Sequence, residues 1–190
     1  MAKRSLRPNG VIKPELGSER RESMARVLGD SLIVNRSHKP GEEQLVNLVD
    51  LFNQNPNRII VVAGTVGADG APNTAPVSLI YAKDPKTLLV ATLRNTTTAT
   101  NLRRDGRVSL ELFREGDLVL GIQGTMRLIK EPMVFSDAMA LWEMRVEKVK
   151  LDTSPAQRVI QGPASTPRNE KAEAFEKAGI AELMAEARKG

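Results

Sequence analysis

The sequence predicts a mainly β fold with peripheral helices, in which six antiparallel strands form a partly closed barrel and one short helix follows the third strand. Three observations carry this. Between residues 58 and 151 the apolar periodicity is that of strands bounded by turn residues. One helix-like stretch, "NTTTATNLRRDG", interrupts them. The longest alternation, residues 118–128, contains Gly121 and Gly124, where a strand can bend around a barrel corner or approach its neighbour closely.

The elements follow in chain order. Residues 1–40 read as a basic N-terminal extension, with Pro8, Pro14 and Pro40 and a short helix around "ERRESMARVL". A firmer helix follows, because Leu45, Leu48, Val49 and Phe52 fall at i, i+3, i+4 and i+7, and Glu42 and Glu43 stand in the first turn where the helix dipole favours acids. "NQNPN" ends it. The six strands are then "RIIVVAGTV", "NTAPVSLIYA", "TLLVATL", "RVSLELF", the long run from Leu118 to Leu128, and "LWEMRVEKVKL". "GADG", "KDPKT" and "REGD" supply turns. Residues 41–152 are thus expected to be the barrel domain, and 153–190 a loop followed by a C-terminal helix. Thr166-Pro167 reads as that helix's cap and first position. Phe175, Gly179, Ile180, Leu183 and Met184 give it a narrow apolar face suited to the barrel or to a second subunit.

Composition narrows the function. With 190 residues, 41% hydrophobic and 27% charged, the chain suits one domain with extensions. It has no cysteine, which excludes disulfides, thiolate metal sites and cysteine nucleophiles. The single histidine, His38, cannot build a multi-histidine metal site and reads as a solvated residue near Pro40-Gly41. The net charge is +5, and the first thirty residues hold seven basic groups against four acids. Aromatic residues are only 3% of the chain, too few for the stacking platforms of single-strand binders, so no nucleic-acid partner is expected. No apolar run approaches the ~18 residues of a membrane helix, and no apolar stretch follows the basic "MAKRSLRPNG". A cytoplasmic protein with no membrane partner is expected.

The candidate site lies in "ATLRNTTTATNLRRDGRVSLELF", where Thr96, Thr97, Thr98 and Thr100 crowd between a strand and a helix. Threonine is a mediocre helix former. Asn95 or Thr96 can cap the helix, and the next amides then lack a carbonyl partner within it. Free amides, the positive end of the dipole and nearby hydroxyls together suit a phosphate. A hydrogen bond to a charged group contributes about 1.5–3 kcal/mol, several-fold more than the propensity a threonine sacrifices. The alternative is that the threonines only cap and cover the helix.

Here the sequence resembles a known family. "DGAPNTAPVSLIY", "LLVATLRNTTTATNLRRDGRVSLEL" and "DLVLGIQGTMRLIKE", in that order, are similar to the FMN-binding split barrel of the pyridoxamine 5'-phosphate oxidase-like superfamily, over about residues 45 to 151. The resemblance implies a six-stranded antiparallel split β-barrel. It also implies a homodimer with FMN at the interface, acting as an oxidoreductase on a small molecule with a nicotinamide or other electron donor. Relatives that use a deazaflavin or bind haem, and a non-enzymatic flavin-binding module, are the alternatives.

Carried over by position, the resemblance places Pro76, Val77 and Ser78 along the flavin ring and Thr92, Thr96, Thr97 and Thr98 at the phosphate. The family often has Arg or Lys three or four residues before its Asn-Leu, where this chain has Thr98 and Thr97. Arg94 is then the candidate for balancing the phosphate charge, with Arg103 and Arg127 as substitutes. Gln123 is placed to reach the flavin from the second subunit. Trp142 reads as a core or interface residue. The arginine and histidine signature that binds the substrate phosphate in true pyridoxamine 5'-phosphate oxidases has no counterpart after residue 150, so that activity is not expected.

Overall fold

The structure is a computed structural model that describes residues 26–36, 39–54, 56 and 58–189. His38 lies outside them. The six predicted strand regions are present, but the second is divided, and three further strands precede them, giving ten among the described residues. Strands β1 (Arg26–Leu28), β2 (Ser31–Arg36) and β3 (Lys39–Val46) form a meander where the sequence suggested a helix around "ERRESMARVL". Residues 19–25 of that helix lie outside the described residues. Leu32 and Val34, two apart on β2, are buried in the main core together with Val46 of β3, which is what draws this segment into the sheet.

The first helix is shorter than expected. Leu45 belongs to β3 and is exposed, and α1 runs only from Leu48 to Asn53. Asn47 sets its start, because its side chain accepts the Asp50 amide at 3.0 Å. Leu48, Leu51 and Phe52 bury. Asn53 exchanges two hydrogen bonds of 2.9 Å with the backbone of Ala82, pinning the helix end to the sheet.

The barrel proper is built from β4 (Val61–Val66), β5 (Pro72–Val77), β6 (Ile80–Asp84), β7 (Thr87–Leu93), β8 (Arg107–Arg114), β9 (Leu118–Lys130) and β10 (Met139–Leu151). Their order is β5-β4-β8-β9-β10, after which the first half of β10 pairs with β7, and β7 with β6. The end of β10 instead meets β2 at Leu151 and Arg36. Strands β5 and β6 are nearly consecutive in the chain yet stand at opposite ends of this order. "NTAPVSLIYA" therefore cannot be one strand. It breaks at Ser78 and Leu79, where the Ile80 amide bonds back to the Ser78 carbonyl at 2.9 Å and the chain changes partner from β4 to β7. The break leaves a seam in the barrel wall between β5 and β7.

Strand β7 explains why "TLLVATL" is apolar throughout. Leu88 and Val90 face the main core with Trp142, Leu110 and Ile122, while Leu89 and Ala91 lie in a second cluster with Leu141, Met133 and Met139. That cluster is roofed by α3 (Glu170–Ala187) through Ile180 and Leu183. The cap of α3 is Asn169, whose side chain accepts the Ala172 amide at 2.9 Å, and not Thr166. Gly179 comes so close to Leu79 and Phe135 that a Cβ there would stand 3.2 Å from each. No helix among the described residues is long and apolar enough to cross a membrane.

Glu182 fixes α3 to the loop before β10. Its carboxylate accepts the amides of Val134 and Phe135 at 3.0 and 2.9 Å and the Lys130 ammonium at 3.1 Å. Burial opposes the charge, but those two amides and Lys130 outweigh it and hold the carboxyl below its usual range. A folded value below the unfolded one gives stabilisation that is fully present above the unfolded range and is lost as pH falls through the folded value. Glu182→Gln turns one acceptor into a donor facing these groups, so a loss of about 1–3 kcal/mol is expected at neutral pH. Urea melts should show the gap between wild type and variant narrowing below about pH 4. A gap that ignores pH would remove Glu182 from this role.

Candidate functional site: the seam beside the threonine helix

The seam opens into a cavity of about 220 Å³. Strand β5 and the break after it bring Pro76, Val77 and Ser78 to one wall, and β7 brings Thr92 to the other. Pro76 is tolerated because β5 is an edge strand, where a missing amide costs no ladder bond. Thr96 and Thr98 line the end nearest α2 (Thr97–Arg104), and Leu79, Leu93 and Met139 complete apolar walls. Among the described residues, no side chain lining the cavity is titratable in the neutral range.

Thr96 caps α2, as one of the two expected candidates. Its hydroxyl accepts the Ala99 amide at 3.2 Å and donates to the Leu93 carbonyl at 2.9 Å, so its single hydrogen is already given. The first helical bond is from the Thr100 amide to the Thr96 carbonyl. The amides of Thr97 and Thr98 are thus left without a carbonyl partner among the described residues. The first turn of α2 carries no acid, whereas α1 has Asp50 and α3 has Glu170 and Glu173 there. The dipole at the seam is not compensated by the helix's own first turn.

Behind the threonines lies a buried polar network. Asn73 of β5 donates through Nδ2 to Thr65 Oγ1 and to Thr98 Oγ1, each at 3.1 Å. Asn101 donates to the same Thr65 oxygen at 3.1 Å. On the other wall Trp142 Nε1 donates to Thr92 Oγ1 at 2.9 Å. Thr65, Thr92, Thr98 and Asn101 are all buried.

Of the nine residues the sequence singled out, Pro76, Val77, Ser78, Thr92, Thr96 and Thr98 share the cavity. Three stand apart. Thr97 is exposed on α2 and offers only its backbone. Arg94 turns to the Asp137 carbonyl at 3.1 Å and to Glu131 at 3.5 Å. Gln123 lines a separate hollow of about 430 Å³ with Gly64, Thr74 and Arg107. The substitute arginines are occupied as well. Arg103 holds Glu131 at 2.6 Å and lies 6.0 Å from the Trp142 ring, and Arg127 pairs with Glu143 at 2.6 Å. Asn73, Thr65, Asn101 and Glu131 escaped the sequence reading. The Thr98 and Asn101 spacing of three on one helix face was the available signal for one of them. Among the described residues no group of three or more His, Asp and Glu could hold a metal ion.

The sheet is consistent with a split barrel, and the sequence matches the model of one family. The chain belongs to the pyridoxamine 5'-phosphate oxidase family, matching over residues 50–171. Solved structures are similar in part. HupZ from Group A Streptococcus is 20% identical, with 62% of this chain and 95% of that one covered and a TM-score of 0.45. HutZ, the haem storage protein from Vibrio cholerae, is 13% identical, with 55% and 92% covered and a TM-score of 0.44. An F420 reductase is 12% identical, with 53% and 94% covered and a TM-score of 0.43. No curated protein sequence matches the chain.

Proposed function

We propose that this chain is an FMN-binding flavoprotein, a homodimer with the cofactor at the subunit interface, that oxidises or reduces a small molecule other than pyridoxamine 5'-phosphate. The observation that carries the reading is the seam cavity, which joins apolar walls to a helix start whose first amides are unclaimed. Family membership supports it. When bound, the flavin would supply the hydride or electron transfer, and the protein needs no nucleophile of its own.

The residues divide the work. Pro76, Val77 and Ser78 border the ring, and Leu79, Leu93 and Met139 keep water from it. The amides of Thr97 and Thr98 and the hydroxyls of Thr92 and Thr98 hold the phosphate. About 220 Å³ is less than the roughly 300–1,000 Å³ of pockets that enclose a small ligand, so one chain embraces only part of the cofactor. A second subunit closes the rest, and Gln123 is placed for that side. Among the described residues Met139 is the one lining side chain of a type that ligates haem iron, which favours flavin over haem.

The test begins with the absorption spectrum of the purified protein and mass analysis of any small molecule released by heat, which separates FMN, deazaflavin and haem. Bleaching of the bound flavin by NADH or NADPH then separates an enzyme from a carrier. Thr98→Val is expected to weaken FMN binding about tenfold or more, the value of one hydrogen bond to a charged group. Thr97→Val, whose side chain does not line the cavity, should leave binding unchanged. Equal affinities for wild type and Thr98→Val would reject this placement of the phosphate.

A further inference from the structure

The geometry points to Asn73 and Trp142 as positioning residues that commit two buried threonine hydroxyls to donating, so that the cavity selects a phosphorylated ligand through neutral hydrogen-bond donors instead of a cationic clamp. The inference rests on the flavin-binding reading and deepens it. A threonine hydroxyl has one hydrogen to give and lone pairs to receive. Which role it plays toward a ligand depends on what its other neighbours demand. The indole N–H of Trp142 can only donate, so Thr92 must accept from it, and the Thr92 hydrogen is directed elsewhere. The Asn73 amide does the same to Thr98 from the opposite wall. Both threonines line the cavity and both are at least nine-tenths buried. Each therefore keeps its hydrogen available to an oxygen in the cavity that both of them line.

The charges around the site complete the argument. Glu131 takes Arg94 and Arg103 together, and Glu143 takes Arg127. The three guanidiniums that could have faced a phosphate are held by carboxylates, and none lines the cavity. What remains among the described residues of one chain is a set of neutral donors: two hydroxyls and the first amides of α2. Such a set distinguishes a phosphate monoester from the same ligand lacking it, because buried donors left without an acceptor are costly. Asn73 also donates to Thr65, which accepts from Asn101 as well, a pair of bonds that braces the fold beside the site.

The experiment compares FMN and riboflavin affinities, by quenching of flavin fluorescence, for the full chain and three variants. Asn73→Asp keeps the shape but turns the donor into a charged acceptor that captures the Thr98 hydrogen. It is expected to weaken FMN by about tenfold or more while riboflavin changes little. Trp142→Phe, which releases Thr92, should shift the ratio in the same direction. Thr65→Val leaves the bond from Asn73 to Thr98 in place and should lower the melting temperature with the ratio intact. If Asn73→Asp does not fold, Trp142→Phe decides. An unchanged FMN-to-riboflavin ratio in the folded variants overturns the inference, as does a Thr65→Val protein that moves the ratio as far as Asn73→Asp. Wild-type protein that binds riboflavin as tightly as FMN overturns it too. Binding of neither flavin sinks the reading beneath it.

Discussion

Replacing Trp142 with alanine should destabilise the protein by about 3–5 kcal/mol, the range for truncating a buried large aromatic residue. At roughly 2–4 °C per kcal/mol for a chain of this size, the melting point falls by about 6–20 °C. Trp142 is fully buried in β10, opposite Val90 of β7 and Leu128 of β9, and is among the largest side chains of the barrel core. Truncation would open a void between three strands and strip Thr92 of the donor it accepts. It would also take away the flat surface beside the Arg103 guanidinium. Phenylalanine keeps most of the packing, so Trp142→Phe should lose far less in a thermal melt and show its effect in ligand selectivity. An alanine variant that melts within about 2 °C of wild type would contradict this account of the core.

The sole tryptophan thus joins the core to the candidate site through its bond to Thr92, where the sequence favoured a core or interface residue. Trp142, Met144 and Val146 alternate with polar residues, and all three are buried as that pattern requires. The strand at Arg107–Arg114 was equally plain, because period-two burial is written locally, and the one at Thr87–Leu93 showed as a short continuous apolar run, buried on both faces. The first three strands were not plain. "KPGEEQLV" pairs with β2 despite two adjacent acids and a Pro-Gly, and the apolar residues that place the hairpin in the core, Leu32, Val34 and Val46, sit in a basic and proline-bearing surrounding that reads as an extension. The break at Ser78 and Leu79 was hidden for another reason. Apolar alternation runs through it, and only the exchange of partners from β4 to β7 divides the strand.

The site follows the same rule. The threonine cluster showed itself because a helix start is a local event, and Thr96 is the cap. The residues hydrogen-bonded to those threonines come from far along the chain. Asn73 precedes Thr98 by 25 positions, and Trp142 follows Thr92 by 50. Glu131, which holds Arg103, is 28 positions beyond it. A sequence shows which arginines could neutralise a phosphate. Only the folded chain shows that Arg94 and Arg103 share one carboxylate instead.

The two glycines of β9 offer the sharpest separation of backbone from side-chain constraint. Both were expected to mark bending or close approach, and the structure gives them different tasks. A Cβ on Gly124 would stand 2.1 Å from the Arg145 carbonyl oxygen and 3.0 Å from its carbon. Those are backbone atoms of the paired strand, at the place where the register between β9 and β10 shifts after Val146. Neither strand can yield without parting the ladder that carries Gln123 and Trp142. Gly124→Ala should therefore cost up to about 3 kcal/mol or more, as overpacking does when nothing flexible can move. At Gly121 the nearest atoms are the Lys150 Cε at 2.7 Å and the Asp152 carboxylate at 2.9 Å, the far ends of partly exposed side chains. These can swing aside at the cost of disturbing their ion pair, so Gly121→Ala should cost only about 1 kcal/mol, the low end of overpacking. Paired denaturant melts of the two variants check the contrast. Equal losses would mean that the bend in β9, and not the contact with Arg145, is what requires glycine.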